Sequence, residues 1–190
     1  MTIHPIVVLG EPVLHRRASE VAEFDDDLRR LIDDMYDTLA ASNGVGLAAP
    51  QIGVALRIFV YDAPDDDGEQ HRGVFVNPTL VNSKVPGTAP DRDDDTEGCL
   101  SVPGEDFPLK RADWVKVSAL DGDGHPVELE ARGWLARVMQ HEFDHLNGTL
   151  YVDRLSERWS KKARKLIRSN GWGVPGLSWM PGVDPDPFGH

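Results

Sequence analysis

Apolar residues recur with the period of an amphipathic helix in two parts of the chain. In residues 25–41 they share one face, at Leu28, Leu31, Ile32, Met35, Tyr36 and Leu39. Three aspartates at the start of this segment supply an N-terminal cap and suit the helix dipole. A second helix is predicted over residues 133–147, where the apolar face begins with Trp134, Leu135, Val138 and Met139.

Segments rich in branched and aromatic residues predict strands between these two helices. The clearest are 114–120 and 126–131, in which apolar and polar residues alternate and which an Asp-Gly-Asp-Gly turn joins into a hairpin. Residues 57–61 and 73–76 are predicted as further strands, and residues 6–9 form a short apolar run near the N-terminus. The strands are therefore expected to be antiparallel.

The order of elements is one helix, several strands, and then two further helices, which is typical of an α+β fold. We predict antiparallel strands packed around a central helix at 133–147, with an N-terminal helix and a C-terminal tail. The tail, 171–190, is dense in glycine and proline, which excludes a helix or a central strand. We expect it to drape over a catalytic domain that spans residues 1–170, because it carries several apolar residues: Trp172, Leu177, Trp179 and Phe188.

Composition narrows the classes of function. The chain has 190 residues and a formal charge of −12, which indicates one globular domain and argues against DNA as a partner. Cys99 is the only cysteine, so an intrachain disulfide is excluded and a reducing compartment fits. Without a membrane-length apolar stretch or a signal peptide, we expect a cytoplasmic protein with no membrane contact. Two acidic segments, 62–68 and 82–95, are predicted as solvated loops.

The second helix carries the pattern HExxH at residues 141–145. His141 and His145 lie about 40° apart around the helix, so both imidazoles converge on one ion. Glu142 points to a neighbouring part of the same face, where it reaches a water on the ion rather than the ion itself. The pattern predicts a hydrolytic metal site, because it continues an apolar face and so turns inward.

The third metal ligand is less obvious. A catalytic site usually holds three protein ligands and one open position. The protease pattern HExxHxxGxxH requires a histidine where this chain has Tyr151, and Glu157 is too close to lie on a separate helix. Cys99 is then favoured as a thiolate ligand, although a lone cysteine considered by itself is more often a small buried hydrophobe.

Three segments together resemble the motifs of bacterial peptide deformylase. They are Gly-Val-Gly-Leu-Ala-Ala-Pro-Gln at 44–51, Glu-Gly-Cys-Leu-Ser at 97–101 and Gln-His-Glu-Phe-Asp-His-Leu-Asn-Gly at 140–148. The resemblance extends from the N-terminal strand to about residue 168. The tail and the long loop at 82–95 are similar to those of the longer-tailed actinobacterial type.

The resemblance implies a metallohydrolase that removes the N-formyl group from the N-terminal methionine of nascent polypeptides. It implies one metal per chain, held by Cys99, His141 and His145. The usual ion is Fe²⁺, with Zn²⁺ or Ni²⁺ as substitutes, and this donor set suits all three. A water activated by the metal attacks the formyl carbon, with Glu142 as general base and then general acid.

The resemblance also implies how the substrate is held. The side-chain amide of Gln51 and the backbone N–H of Leu100 would stabilise the oxyanion. The peptide would bind as an added strand between Val45 and Gly46 on one side and Gly98 on the other.

The methionine side chain would enter an apolar pocket formed by Val45, Val138 and the flank of His141. Arg111 matches a family position near the peptide backbone, although an exposed, solvated arginine is an equal alternative. Arg137 and Val138 depart from the most familiar compact form at this point of the helix.

Two other functions stay open from the residues alone. A zinc endopeptidase with the same HExxH pattern would cleave internal peptide bonds and would not need Cys99. A non-catalytic, metal-stabilised fold would not depend on Glu142, but such a site needs a fourth protein ligand that the sequence does not offer.

Residues near the ligands and a basic segment suggest further roles. Glu97 and Asp144 are expected to support the metal ligands through hydrogen bonds. The third helix, 156–169, is rich in lysine and arginine and predicts either a solvated face or transient contact with the ribosome. N-formylmethionyl peptides are the expected substrates.

Overall fold

A computed structural model of the chain describes residues 2–189. These residues form one five-stranded antiparallel sheet, two small two-stranded sheets and three α-helices, an α+β fold as predicted. The helices are α1 (Asp26–Ala41), α2 (Gly133–Leu146) and α3 (Glu157–Ser169). The strands are β1 (Ile6–Val7), β2 (Gly46–Ala48), β3 (Ile58–Pro64), β4 (Gln70–Asn82), β5 (Thr96–Gly98), β6 (Asp106–Pro108), β7 (Trp114–Leu120), β8 (Pro126–Arg132) and β9 (Ser178–Trp179).

Helix α1 begins and packs as its sequence predicts. The Asp25 carboxylate caps it by accepting a 3.0 Å hydrogen bond from the backbone N–H of Leu28. The inward face is formed by Leu28, Ile32, Met35 and Leu39, all of them buried.

The main sheet has the strand order β2-β3-β4-β7-β8, and every adjacent pair is antiparallel. The predicted hairpin is confirmed as β7 and β8, paired from Trp114 with Arg132 to Leu120 with Pro126. Strand β4 is much longer than the predicted 73–76. A bulge between Val76 and Thr79, with Asn77 at φ 52°, accommodates a proline that would otherwise end the strand.

Two segments predicted as loops contain strands. Residues 46–48, in the small-residue motif, form the edge strand β2 and pair with β3. The acidic segment at 62–68 begins within β3, which continues to Pro64. Its central Asp66 also accepts a 3.0 Å hydrogen bond from the N–H of Trp134, at the start of α2.

The two faces of the sheet bury different helices. Ile58 and Val60 of β3 pack in the cluster that contains the α1 face, whereas Phe59 and Tyr61 pack with α2. Trp134 does not belong to the buried α2 face, because 39% of its surface is exposed. The HExxH segment lies on α2, which packs on the main sheet, and His141 contacts Glu97 of β5.

The tail lies against the rest of the chain. Its strand β9 pairs with β1, Ile6 opposite Trp179, and Trp172, Leu177 and Trp179 pack on buried apolar clusters. Helix α3, in contrast, buries only Ala163. No helix within residues 2–189 is both long enough and apolar enough to cross a bilayer.

Candidate metal centre

Helix α2 and the residue after β5 bring the three predicted ligands together. Nε2 of His145 lies 3.3 Å from Sγ of Cys99 and 3.2 Å from Nε2 of His141. The three side chains are buried, and their donor atoms all lie within 4.8 Å of one another. The cysteine is therefore not merely a small buried hydrophobe.

This donor set fits a divalent metal ion. When two nitrogen ligands bind a tetrahedral metal at about 2.0–2.1 Å, the two nitrogen atoms lie about 3.3 Å apart. The Nε2 atoms of His141 and His145 are separated by a similar distance, 3.2 Å. Cys99 offers a sulfur donor, and burial leaves these polar atoms without water to solvate them. Three protein ligands leave a position open, which is typical of a catalytic rather than a structural site.

Glu142 is buried beside these ligands with one oxygen unpaired. Its side chain packs against Gly46 of β2, where a Cβ atom would collide with Oε1. Within residues 2–189, Oε2 has no hydrogen-bond partner. Burial raises the pKa of Glu142 to about 7, which suits a group that takes and returns a proton near neutral pH.

Glu97 contacts the His141 ring at Nδ1, the nitrogen that faces away from the other ligands, and so supports this ligand as expected. Oε1 of Glu97 lies 2.7 Å from Nδ1 of His141, which directs Nε2 of the ring towards the other ligands. Arg111 donates to both oxygens of Glu97, at 2.6 and 3.0 Å. Although burial opposes ionisation, these hydrogen bonds from Arg111 and His141 hold the pKa of Glu97 well below its usual range.

Arg111 requires a correction. It is neither an exposed arginine nor a residue of the cleft, because it is buried and its guanidinium is engaged by Glu97 and Asp144. Asp144 accepts a 2.6 Å bond from Arg111 and also pairs with Arg154. Asp144 is therefore connected to the metal ligands indirectly, through Arg111 and Glu97.

Arg137 and Asp95 extend this network and were not predicted. Arg137 donates to Glu97 at 3.1 Å and to Asp95 at 3.1 Å, and Lys110 pairs with Asp95 at 2.7 Å. Asp95 is buried, so the prediction of a solvated loop fails at this end of 82–95. A signal was present, since an arginine one turn before His141 interrupts the apolar face of α2.

Gln51 is held in one orientation. Its Oε1 accepts a 2.8 Å hydrogen bond from the N–H of Ala48, so Nε2 is directed the other way, to 3.8 Å from Sγ of Cys99. Leu100 follows Cys99 directly and lines the same cleft. The amide of Gln51 therefore points a donor at the ligands.

The cleft above the ligands has a volume of about 220 Å³. Four of the five predicted substrate-binding residues line it: Val45, Gly46, Gly98 and Val138. The fifth, Arg111, does not lie there. Phe188, from the far end of the chain, also lines the cleft and was not predicted as a site residue.

The family model, the relatives and the solved structures described below all name the same family. The family model described as polypeptide deformylase matches residues 3–161. The peptide deformylase of Mycolicibacterium paratuberculosis is 56% identical over 197 residues, covering 100% of both chains. Peptide deformylase 2 of Corynebacterium efficiens is also 56% identical, over 100% of this chain and 99% of its own. Both relatives are actinobacterial, as the tail and long loop suggested.

Solved structures agree with the fold. The peptide deformylase of Legionella pneumophila is 42% identical and has a TM-score of 0.75, covering 89% of this chain and 95% of that one. The Ehrlichia chaffeensis enzyme in complex with actinonin is 35% identical, with a TM-score of 0.76, covering 89% and 98%.

Proposed function

The chain belongs to the polypeptide deformylase family. From this premise we propose that it removes the N-formyl group from methionine, with Glu142 as the general base and then the general acid. The observation that carries the proposal is the unpaired, buried Oε2 of Glu142 beside the donors of Cys99, His141 and His145. A buried carboxyl oxygen without a partner costs free energy, which a role in proton transfer accounts for.

The three ligands would hold a metal ion that acidifies water and polarises the formyl carbonyl. Glu142 removes one proton from the attacking water at Oε2, and the water oxygen bonds to the formyl carbon. Glu142 then delivers that proton to the methionine nitrogen as the carbon–nitrogen bond breaks. The products are a free amino terminus and formic acid, which ionises to formate at neutral pH.

We assign two donors to the developing oxyanion. The Nε2 group of Gln51 is directed towards the ligands by the bond that Oε1 accepts from Ala48. We assign the second donor to the backbone N–H of Leu100. One such donor is worth about 10²–10³ in rate.

The walls of the cleft suit an extended peptide. Val45 and Gly46, where edge strand β2 begins, line one side of the cleft, and Gly98, which ends β5, lines the other. Val138 provides the apolar floor for the methionine side chain. The cleft has a volume of about 220 Å³.

We assign Fe²⁺ as the resident ion, one per chain, with Zn²⁺ and Ni²⁺ as substitutes that one thiolate and two imidazoles also accept. If Fe²⁺ is resident, air should inactivate the enzyme by oxidation of the metal or of Cys99. Metal analysis after anaerobic purification tests this assignment, and a stable, air-insensitive Zn²⁺ enzyme would contradict it.

The reaction is tested by anaerobic turnover of a formyl-Met-Ala-Ser peptide, with Glu142→Ala as the control. We expect formate release that the control lacks. Bound metal without formate release, together with cleavage of internal peptide bonds, would instead support the endopeptidase alternative.

We further propose a cytoplasmic enzyme that contacts the ribosome transiently through α3. This helix exposes Arg158, Lys162 and further basic residues on a chain whose formal charge is −12. Co-sedimentation with ribosomes should weaken steeply as salt rises. Replacing Arg164 and Lys165 by glutamate should abolish it, whereas binding unaffected by these changes would exclude α3 as the contact.

A further inference from the structure

The end of the C-terminal tail reaches the cleft. Phe188 lines the same cavity as Cys99, Leu100 and Glu142, although it lies 89 residues after the cysteine. Its Cε1 atom would be 3.7 Å from a Cβ atom at Gly98, an ordinary contact distance for a side chain at that position. The ring therefore lies beside the strand end that is proposed to receive the peptide.

The tail is held in this position at several points. The indole N–H of Trp179 donates a 2.9 Å hydrogen bond to the carbonyl of Leu100. Further along, Asp186 accepts bonds from the side chain of Asn43 at 3.4 Å and from the N–H of Phe188 at 2.8 Å.

Gly104 also provides room for the tail. A Cβ atom there would lie only 2.7 Å from the carbonyl oxygen of Pro187. The end of the tail thus lies between Asn43, beyond α1, and Gly104, beyond β5. Contacts on both sides make Phe188 a built wall of the cleft rather than a loose end.

A peptide bound along Gly98 has to pass this wall. In the proposed function, the formyl group would lie at the metal ligands and the methionine side chain would lie against Val138. The residues that follow methionine then extend along Gly98, where the Phe188 ring offers an apolar surface. An apolar side chain is stabilised by burial against such a surface, whereas an acidic one would lose hydration there without compensation.

We propose that Phe188 is a specificity-determining residue, whose ring contacts the side chain that follows formyl-methionine and favours apolar over acidic residues there. This inference rests on the proposed deformylase function. It assigns the end of the tail a part in substrate selection in addition to its packing on the domain.

The test compares formyl-Met-Leu-Ser with formyl-Met-Asp-Ser in the wild type and in Phe188→Ala. We expect the wild type to prefer the leucine peptide, and Phe188→Ala to reduce that preference about 3- to 10-fold, mainly through KM, as loss of part of an aromatic contact implies. Phe188→Leu should restore much of the preference. Val183→Ala, at a tail residue with 80% exposure, is the matched control and should behave as wild type.

The outcomes separate this inference from the proposed function. A preference unchanged in Phe188→Ala would overturn the inference, and so would faster turnover of both peptides, because the ring would then obstruct the cleft. An equal loss for both peptides would show a purely structural role and would also overturn it. Absence of formate release from either peptide by the metal-loaded wild type would instead contradict the proposed function.

Discussion

The two sides of the His141 ring differ in how their polar groups are satisfied. On the Nδ1 side, Glu97 is paired with His141, Arg111 and Arg137, and each of these bonds is 3.1 Å or shorter. On the Nε2 side, three metal-ligating atoms converge: Nε2 of His141, Nε2 of His145 and Sγ of Cys99. Beside them, Oε2 of Glu142 has no hydrogen-bond partner among residues 2–189.

This difference separates scaffold from chemistry. An unsatisfied buried polar group such as Oε2 of Glu142 costs about 1–3 kcal/mol, so a fold retains one only where something else compensates for it. A metal ion and a substrate account for the unpaired side. The paired side holds the imidazole at the angle that the ion requires.

The largest effect is expected on the unpaired side, from Cys99→Ser. The serine hydroxyl is a poor replacement for a thiolate, so the variant should lose both bound metal and formate release. The loss should exceed the about 10–100-fold that removal of a supporting partner costs. Elemental analysis beside a formate assay checks it. One metal per chain in the variant would favour the endopeptidase alternative.

Glu142→Gln should separate metal binding from proton transfer. The amide has nearly the same shape but neither takes nor returns a proton, so turnover should fall about 10²–10⁴-fold while metal content stays at one per chain. Single-turnover formate release measures the rate. If the variant turned over at the wild-type rate, Glu142 would not be the base.

Glu97→Gln tests the paired side. It weakens the bond to His141 and leaves Arg111 with less compensating charge, so metal affinity should fall about 10–100-fold and unfolding free energy by up to about 3–5 kcal/mol. Competition with a chelator and urea unfolding measure the two effects. The exposed Glu157→Gln is the control. Unchanged metal affinity would mean that Glu97 does not orient the ligand.

The smallest effect is expected at Asp95, further from the ligands. Burial opposes ionisation, but the bonds from Lys110, the N–H of Asp91 and Arg137 lower the pKa of Asp95. Its contribution to stability is therefore present above its ordinary pKa, about 3.8–3.9, and is lost as pH falls through the lowered value.

Asp95→Asn should accordingly destabilise the fold by about 1.5–3 kcal/mol at pH 7, the worth of hydrogen bonds to a charged group. The difference from wild type should shrink as pH falls below the ordinary aspartate range. Thermal unfolding over a pH series measures it, and a constant difference at every pH would contradict the role of the charge.

The parts of the fold that the sequence predicted are those set by local pattern. The α1 stripe and the β7–β8 hairpin follow from periodicity and turn residues close together in the chain. Strand β4 was predicted too short because Pro78 breaks the strand pattern, and the bulge that accommodates it arises from pairing with β7. Strand β2 was missed because glycine, leucine and alanine carry no alternation.

The site shows the same limit. Helical spacing was enough to predict His141, Glu142 and His145. Cys99 was predicted because that spacing supplies only two of the three ligands that a catalytic site needs. The roles of residues far apart in the chain could not be predicted from spacing. Arg111, for example, contacts Asp144 across 33 positions.

The most direct test of the central claim is formate release per bound metal in Glu142→Gln and Glu97→Gln, measured anaerobically beside the wild type. The account predicts a fully loaded but inactive Glu142→Gln. It predicts a poorly loaded Glu97→Gln that turns over at about the wild-type rate for each metal it retains. An active Glu142→Gln, or a Glu97→Gln whose rate per metal falls as far, would contradict the division between scaffold and chemistry.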